Sequence, residues 1–185
     1  MRKTILSILL VSSFLFLGCY SGDDDSGFIE LEINDAIVLE NNGEYEIGDT
    51  IFFEIRFSRY LEEEGFDTLL DIYETTGANQ YSYNFDLSKF SSFTNNFERV
   101  SIDPAFIIIE EGGDDEDSFR SSIVLNDEQT EYVTRVGVVL QESGEFRIDF
   151  GSTFFPDYVK DGIHVSVSHE FSAVQPEDFI FIVTE

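Results

Sequence analysis

The sequence predicts an all-β protein built as an antiparallel β-sandwich. Apolar and polar residues alternate with a period of two along most of the chain, as they do in strands with one buried face. Turn-forming residues interrupt this alternation about every 8–12 residues, a spacing typical of sandwiches and barrels. The chain also carries 20 Phe and 8 Tyr, enough apolar volume for a substantial core.

Residues 51–57 form the clearest strand, with Ile51, Phe53, Ile55 and Phe57 on one face. The same alternation predicts further strands at 81–85, 119–125, 132–140, 146–150, 163–167 and 179–183. Weaker patterns predict strands at 29–33, 69–73 and 106–109.

For two segments the sequence predicts more than a single strand. We expect residues 132–140 and 146–150 to pair as a hairpin across the turn at Glu142-Ser143-Gly144. Residues 87–97 break the period of two, because their apolar side chains recur at intervals of three and four. This segment is interpreted as a short helix or, given its Ser and Asn content, a loop.

A resemblance to a known class of module narrows the sandwich type. The stretch 45–53, together with 144–148, resembles the immunoglobulin-like modules of bacterial surface proteins. The resemblance implies an immunoglobulin-like sandwich. The chain has no Trp and one Cys, so the Cys-Trp-Cys core of antibody domains is absent. A jelly roll is the alternative.

The first residues have the layout of a secretory signal peptide. A positive head at Arg2 and Lys3 precedes an apolar run of about 14 residues, shorter than the roughly 20 that a membrane-spanning helix needs. Gly18 and Cys19 follow directly, and this ending resembles the lipobox of bacterial lipoproteins. The resemblance implies cleavage after Gly18 and lipidation of Cys19, which would anchor the protein in a membrane.

The residues after Cys19 indicate a destination. The acidic tract 21–25 resembles the signal that some Gram-negative bacteria use to send lipoproteins to the outer face of the outer membrane. We therefore expect an outer-membrane protein on the extracellular side. The expected division is a signal peptide at 1–18, a lipidated acidic linker at 19–27 and a single sandwich domain at 28–185.

The charge of the chain restricts its partners. The net charge is −28, and removal of residues 1–18 takes away two basic residues and no acidic one, which leaves −30. Such a charge argues against nucleic acid, because phosphate binding requires Lys and Arg. A protein partner is expected to be basic or bridged by cations, and to meet loops or an exposed sheet edge.

No sequence motif points to catalysis, and no catalytic residue is predicted. The two histidines, His164 and His169, have opposite parity along one predicted strand, so they cannot act as neighbouring metal ligands there. The sequence contains no nucleophile elbow, phosphate loop or dinucleotide fingerprint.

The acidic segment 110–117 is the candidate metal site. Ca²⁺ prefers six to eight oxygen ligands, and a glycine-bearing acidic loop can supply several of them. The candidate ligands are Asp114, Asp115, Glu116 and Asp117, although their spacing is not that of an EF-hand. The alternative is a solvated charged loop. Apart from this possible calcium, no cofactor is expected.

Aromatic side chains form the candidate ligand site. Sugar-binding modules use exposed rings to hold pyranoses, so exposed aromatic residues could serve this purpose. The candidates are Tyr81, Tyr83, Phe154, Phe155 and Tyr158, with core packing as the alternative.

Three functions remain open at this point. The preferred one is a surface-exposed lipoprotein that binds or scaffolds an envelope partner without chemistry. The second is a glycan-binding accessory lipoprotein of a nutrient-uptake system. The third, less favoured, is a small hydrolase on a jelly roll.

Overall fold

The computed structural model describes residues 27–41, 43–113, 121–172 and 176–185. Cys19 and the candidate calcium ligands Asp114, Asp115, Glu116 and Asp117 lie outside these residues, as do the signal peptide and nearly all of the linker. The domain division and the calcium site therefore stay predictions.

The larger of the two main sheets is organised around its longest antiparallel pair, β4 and β12, which match along their whole lengths. Among the described residues its nine strands are β1 (Phe28–Asn34), β2 (Ile37–Leu39), β4 (Thr50–Ser58), β7 (Gln80–Tyr83), β10 (Ile107–Glu111), β11 (Ser121–Leu125), β12 (Glu131–Val139), β14 (Thr153–Pro156) and β15 (His164–Glu170). They lie in the order β1-β15-β14-β7-β11-β12-β4-β2, and β10 pairs with β12 beyond the end of β11.

The smaller main sheet has five strands in the order β3-β16-β13-β8-β9. Its members are β3 (Glu44–Glu46), β8 (Phe85–Ser91), β9 (Asn96–Val100), β13 (Gly144–Phe150) and β16 (Ile180–Thr184). The remaining elements are a two-stranded ribbon of β5 (Tyr60–Leu61) and β6 (Leu70–Asp71), the helix α1 (Ile72–Thr76), and 3₁₀ turns at Pro104–Phe106 and Pro176–Phe179. Within the described residues, no helix has the length and apolar character that crossing a bilayer requires.

The two main sheets pack face to face around an aromatic core. Phe53 of β4 contacts Phe85 and Phe150 of the opposite sheet edge-on, with ring centroids 5.0 and 4.9 Å apart. Such edge-on pairs are the preferred geometry of buried aromatic rings. The predicted all-β sandwich is therefore confirmed. Two edge pairs, β1 with β15 and β3 with β16, are parallel, whereas the other pairs of the two main sheets are antiparallel.

The predicted hairpin between 132–140 and 146–150 is wrong. β12 pairs with β4, β10 and β11, whereas β13 pairs with β8 and β16 of the other sheet. The turn at 142–144 therefore carries the chain from one sheet to the other. Both strands have one apolar face, so their local patterns are the same in a hairpin and in a pair split between sheets.

Two further segments differ from expectation. Residues 87–97 form neither a helix nor a plain loop, but most of the hairpin of β8 and β9. Leu87 and Phe90 have opposite parity along β8, and Phe90 and Phe97 are directly opposed across the hairpin, so the spacing of three and four comes from two paired strands and not from a helix. In 69–73 only Leu70 and Asp71 are extended, since Asp71 caps α1 by accepting a hydrogen bond from the Glu74 N–H at 3.0 Å.

Two chain crossings between the sheets meet at one corner of the sandwich. The chain leaves the larger sheet at Asn84, between β7 and β8, and returns to it after Gly151, between β13 and β14. The Gly151 N–H donates to the Asn84 carbonyl at 2.9 Å. His169 of β15 lies 2.7 Å from the Gly151 carbonyl through Nε2. The corner thus links strands from both sheets around one buried imidazole.

Candidate functional site

The five aromatic candidates separate into core and surface residues. Tyr81, Tyr83 and Phe154 are 0 %, 2 % and 0 % exposed, so their predicted role in a ligand platform is wrong. Alternate residues of β7 and β14 point into the sandwich, and these three occupy the inward positions. Phe154 stacks on Phe57 with ring centroids 5.5 Å apart, which makes it part of the core.

Burial also determines the chemistry of the core tyrosines. It raises the pKa of Tyr83 to about 12 and raises the pKa of Tyr81 further. Tyr132 also has a raised pKa, and its hydroxyl donates to the Ala78 carbonyl at 2.7 Å. These phenols therefore stay neutral at physiological pH and act as structural groups.

Phe155 and Tyr158 are the two candidates that reach the surface, at 51 % and 58 % exposure. Phe155 follows the buried Phe154 on β14 and so faces outward. The backbone turns after Pro156, and the Tyr158 ring lies beside Gly77, the residue that ends α1. Two rings thus remain available to a ligand near the end of β14.

The first two residues of the acidic segment, Glu110 and Glu111, contact β12. Arg135 of β12 forms ion pairs with Glu40 and Glu110, and its guanidinium lies 4.2 Å from the centroid of the Phe52 ring. The Thr134 hydroxyl donates to the Glu111 carbonyl at 3.0 Å. Arg135 therefore shares its positive charge between the carboxylates of Glu40 and Glu110.

The two histidines have different environments, as expected from their opposite parity along the strand. His164 is exposed, whereas His169 is buried between the rings of Phe154 and Phe171. Burial lowers the pKa of His169, although its hydrogen bond to the Gly151 carbonyl partly opposes this effect. In the described parts of the chain, no three His, Cys, Asp or Glu side chains converge in a way that could hold a metal ion.

Sequence reasoning missed an acidic concavity among the described residues, a groove of about 860 Å³ beside β1. We call it the β1 groove. One wall is formed by residues 30–32 of β1 and Ser168 of β15, and the other by the segment 62–69 between β5 and β6. The run at 62–64 stands out in the sequence as three consecutive glutamates, but only the fold places it opposite β1.

Comparison with known proteins places the chain in no family. No protein-family profile matches the sequence, and no curated protein matches it. Among solved structures, the chain is similar to the seventh ScaB type I cohesin from Pseudobacteroides cellulosolvens, with 11 % sequence identity and a TM-score of 0.32. The similarity covers 85 % of this chain and 91 % of that chain.

Proposed function

We propose that this protein is a lipid-anchored binding module of the bacterial outer membrane, which displays its β-sandwich outside the cell and performs no chemistry of its own. The observation that carries the proposal is the order of residues before the sandwich. A positive head, an apolar run, Gly18-Cys19 and an acidic tract directly precede β1.

The surface of the sandwich supports a binding role. Large apolar side chains are exposed on a strongly acidic protein, among them Phe155 on β14, Tyr158 beside the end of α1, and Phe66 and Leu69 in the β1 groove. Exposed apolar groups on a charged surface are typical of contact sites for partners. The core between the sheets is a fixed scaffold for these groups.

Lipidation is tested by metabolic labelling with an alkyne fatty acid, followed by intact-mass analysis of the exported chain. We expect the native protein to carry label and to begin at Cys19, and Cys19→Ala to carry none. Two acyl chains or more are needed for a durable anchor, so the variant should also leave the membrane fraction. An unmodified native chain, or one with residues 1–18 still attached, would disprove the anchor.

Display on the cell surface is tested separately by proteinase K treatment of intact cells. The expected result is loss of the sandwich domain from intact cells, with a periplasmic marker protein left uncut as the control. Digestion only after cell lysis would place the domain on the inner side of the outer membrane instead.

A glycan-binding role is the second candidate, because Phe155 and Tyr158 expose flat rings near one end of β14. A glycan array would identify the sugar, and the double substitution Phe155→Ala with Tyr158→Ala should abolish the signal. Phe93, which is exposed in the turn between β8 and β9, offers a matched control through Phe93→Ala. Equal loss in the control, or no sugar bound by the native protein, would reject this candidate.

A further inference from the structure

We propose that the β1 groove binds an extended, positively charged polypeptide segment, which adds to the open edge of β1 as a new strand. This inference rests on the proposed binding function and names the partner's chemistry. It depends on three features of the described residues: the unpaired backbone of β1, the charge of the groove walls and the apolar side chains beside them.

The first feature is the unpaired edge of β1. In the described part of the chain β1 pairs only with β15, in parallel register. The Gly27 carbonyl accepts from the His164 N–H at 2.8 Å, and the Asp35 N–H donates to the Glu170 carbonyl at 2.9 Å, so backbone groups of odd-numbered residues at both ends face β15. Backbone direction alternates along a strand, so the N–H and C=O groups of the even-numbered residues between them face away from β15.

An edge of this kind can accept another strand. The outward N–H and C=O groups at Glu30 and Glu32 provide donors and acceptors at the regular spacing that a further strand needs. Addition of an extended peptide to such an edge is a common mode of recognition, in which backbone hydrogen bonds supply affinity and alternate side chains supply specificity.

The second feature is the charge of the groove. The carboxylates that line it are Glu30, Glu32, Glu62, Glu63, Glu64 and Asp67, and no Lys or Arg of the described residues lines it. Glu30 and Glu32 project from the face of β1 opposite the buried Leu31. An added strand that carries Lys or Arg on this face would therefore meet carboxylates on both walls.

A buried hydroxyl lies next to the groove on the same face of the sheet. Ser166 is opposite Glu30 in the ladder and two residues before Ser168, which lines the groove. Its Oγ is buried and has no hydrogen-bond partner among the described residues. Buried hydroxyls normally find a partner, so this one is an unsatisfied polar group close to the groove.

The third feature is apolar surface on the outer wall. Phe66 and Leu69 are 64 % and 56 % exposed and line the groove among the carboxylates. A segment that interleaves basic and apolar side chains would fit this wall better than a purely basic one. A second copy of this chain is a poor occupant, because two molecules of net charge −28 repel each other.

The first experiment measures binding of a fluorescent (Lys-Val)₄ peptide to the purified mature protein by anisotropy at 150 mM NaCl. We expect saturable binding, and an affinity about tenfold lower in the triple variant Glu62→Gln, Glu63→Gln, Glu64→Gln. The matched control is Glu44→Gln, Glu46→Gln, Glu145→Gln, which removes the same charge from exposed positions of the smaller sheet and should change affinity less than about twofold.

The second experiment tests strand addition without altering the protein. Two versions of the peptide carry N-methyl groups on alternate amides, one on the odd and one on the even positions. Only one set of amides can face β1 in a given strand, so one version should lose binding and the other should keep it.

These experiments separate the inference from the proposed anchor, since peptide binding needs no lipid. No binding of the unmodified peptide would overturn the inference. Equal weakening in the groove variant and its control, or equal behaviour of the two methylated peptides, would also overturn it, because the protein would then attract cations without adding a strand.

Discussion

At the scale of single residues, Gly112 is a position with little tolerance for a side chain. Its φ of +116° lies in the left-handed region that favours glycine. An added Cβ would also collide with the Thr134 hydroxyl and lie 2.8 Å from the Ser122 carbonyl oxygen. The acidic loop thus leaves β10 through a residue that only glycine can occupy without strain.

We expect Gly112→Ala to lower the free energy of unfolding by about 2–5 kcal/mol, from backbone strain and overpacking together. Gly48→Ala is the control, because Gly48 has a φ of +97° but no heavy atom within 4 Å of its added Cβ. Urea denaturation should show a clearly smaller loss in the control. Equal losses would mean that strain alone accounts for the effect.

Asp71 combines an ion pair with a helix cap. Its carboxylate receives hydrogen bonds from Arg59 at 2.7 and 2.6 Å, and these bonds hold its pKa below the ordinary value of 3.8. Because the pKa of Asp71 is lower in the folded state than in the unfolded state, its ionised carboxylate stabilises the fold at pH values above about 3.8. This stabilisation is lost as the pH falls below that value.

We expect Asp71→Asn to lower the free energy of unfolding at pH 7 by about 1 kcal/mol, since Asn can still cap α1 but cannot pair with Arg59 as a charge. The difference from the native protein should shrink between pH 4 and pH 2, as measured by urea denaturation at each pH. A difference that stays constant over this range would show that the charge of Asp71 is not responsible.

At the scale of secondary-structure elements, β14 shows how one strand divides its residues between core and surface. Phe154 points inward and stacks on Phe57 and His169, whereas Phe155 points outward. The two residues are adjacent and chemically identical, so they form a matched pair for measuring what burial contributes.

We expect Phe154→Ala to cost about 3–5 kcal/mol in the free energy of unfolding, because it leaves a cavity in the core. Phe155→Ala should change it by about 0.5 kcal/mol or less. Thermal and urea denaturation of both variants would check this. Similar losses would mean that Phe155 is also packed, and would remove it from the candidate ligand site.

The corner around His169 gives the sandwich a pH-dependent element. The Nδ1 atom is buried with no partner in the described residues, so protonation would place an unsatisfied N–H in the core. The pKa of His169 is accordingly lowered from its ordinary value of 6.5, with burial as the main cause. Its contribution to stability is complete above pH 6.5 and declines as the pH falls below that value.

Through His169, we expect the free energy of unfolding of the native protein to fall by at most about 1.4 kcal/mol per pH unit below pH 6.5. In His169→Gln, which can still donate to the Gly151 carbonyl, this part of the slope should disappear. Denaturation from pH 8 to pH 5 would compare the two proteins. Parallel curves would show that His169 does not titrate differently in the folded and unfolded states.

Strand positions were largely predictable, but strand partners were not. Residues 51–57 and 132–140 alternate clearly, and they form β4 and most of β12. The period of two reports that one face is buried, and it holds no information about which strand lies alongside. The misassigned hairpin after β12 follows from this limit, whereas the hairpin in 87–97 was missed because its apolar side chains do not recur at every second residue.

At the scale of the whole molecule, charge is the dominant property. A net charge of −28 makes the surface repel itself, and folding brings these charges closer together. The ion pairs in the described residues are mostly exposed, for example Arg56 with Glu131 and Lys89 with Glu142, and such pairs contribute little.

We therefore expect added salt to stabilise the protein. Raising NaCl from 10 to 500 mM should increase Tm by several degrees in calorimetry, at about 2–4 °C for each kcal/mol of relieved repulsion. Choline chloride at the same ionic strength is the control and should act alike, since screening does not depend on the cation. A fall in Tm with salt would show that the ion pairs outweigh the repulsion.

The sequence by itself determined that this chain is an acidic all-β protein, because alternation and composition are local properties of the chain. It also marked Cys19 and the acidic loop as features to test. Only the tertiary structure decided which aromatic rings are core and which are surface, and that Glu62, Glu63 and Glu64 lie across a groove from β1. Those facts depend on which strands become neighbours, and neighbours distant in the chain are set by packing of the whole sandwich.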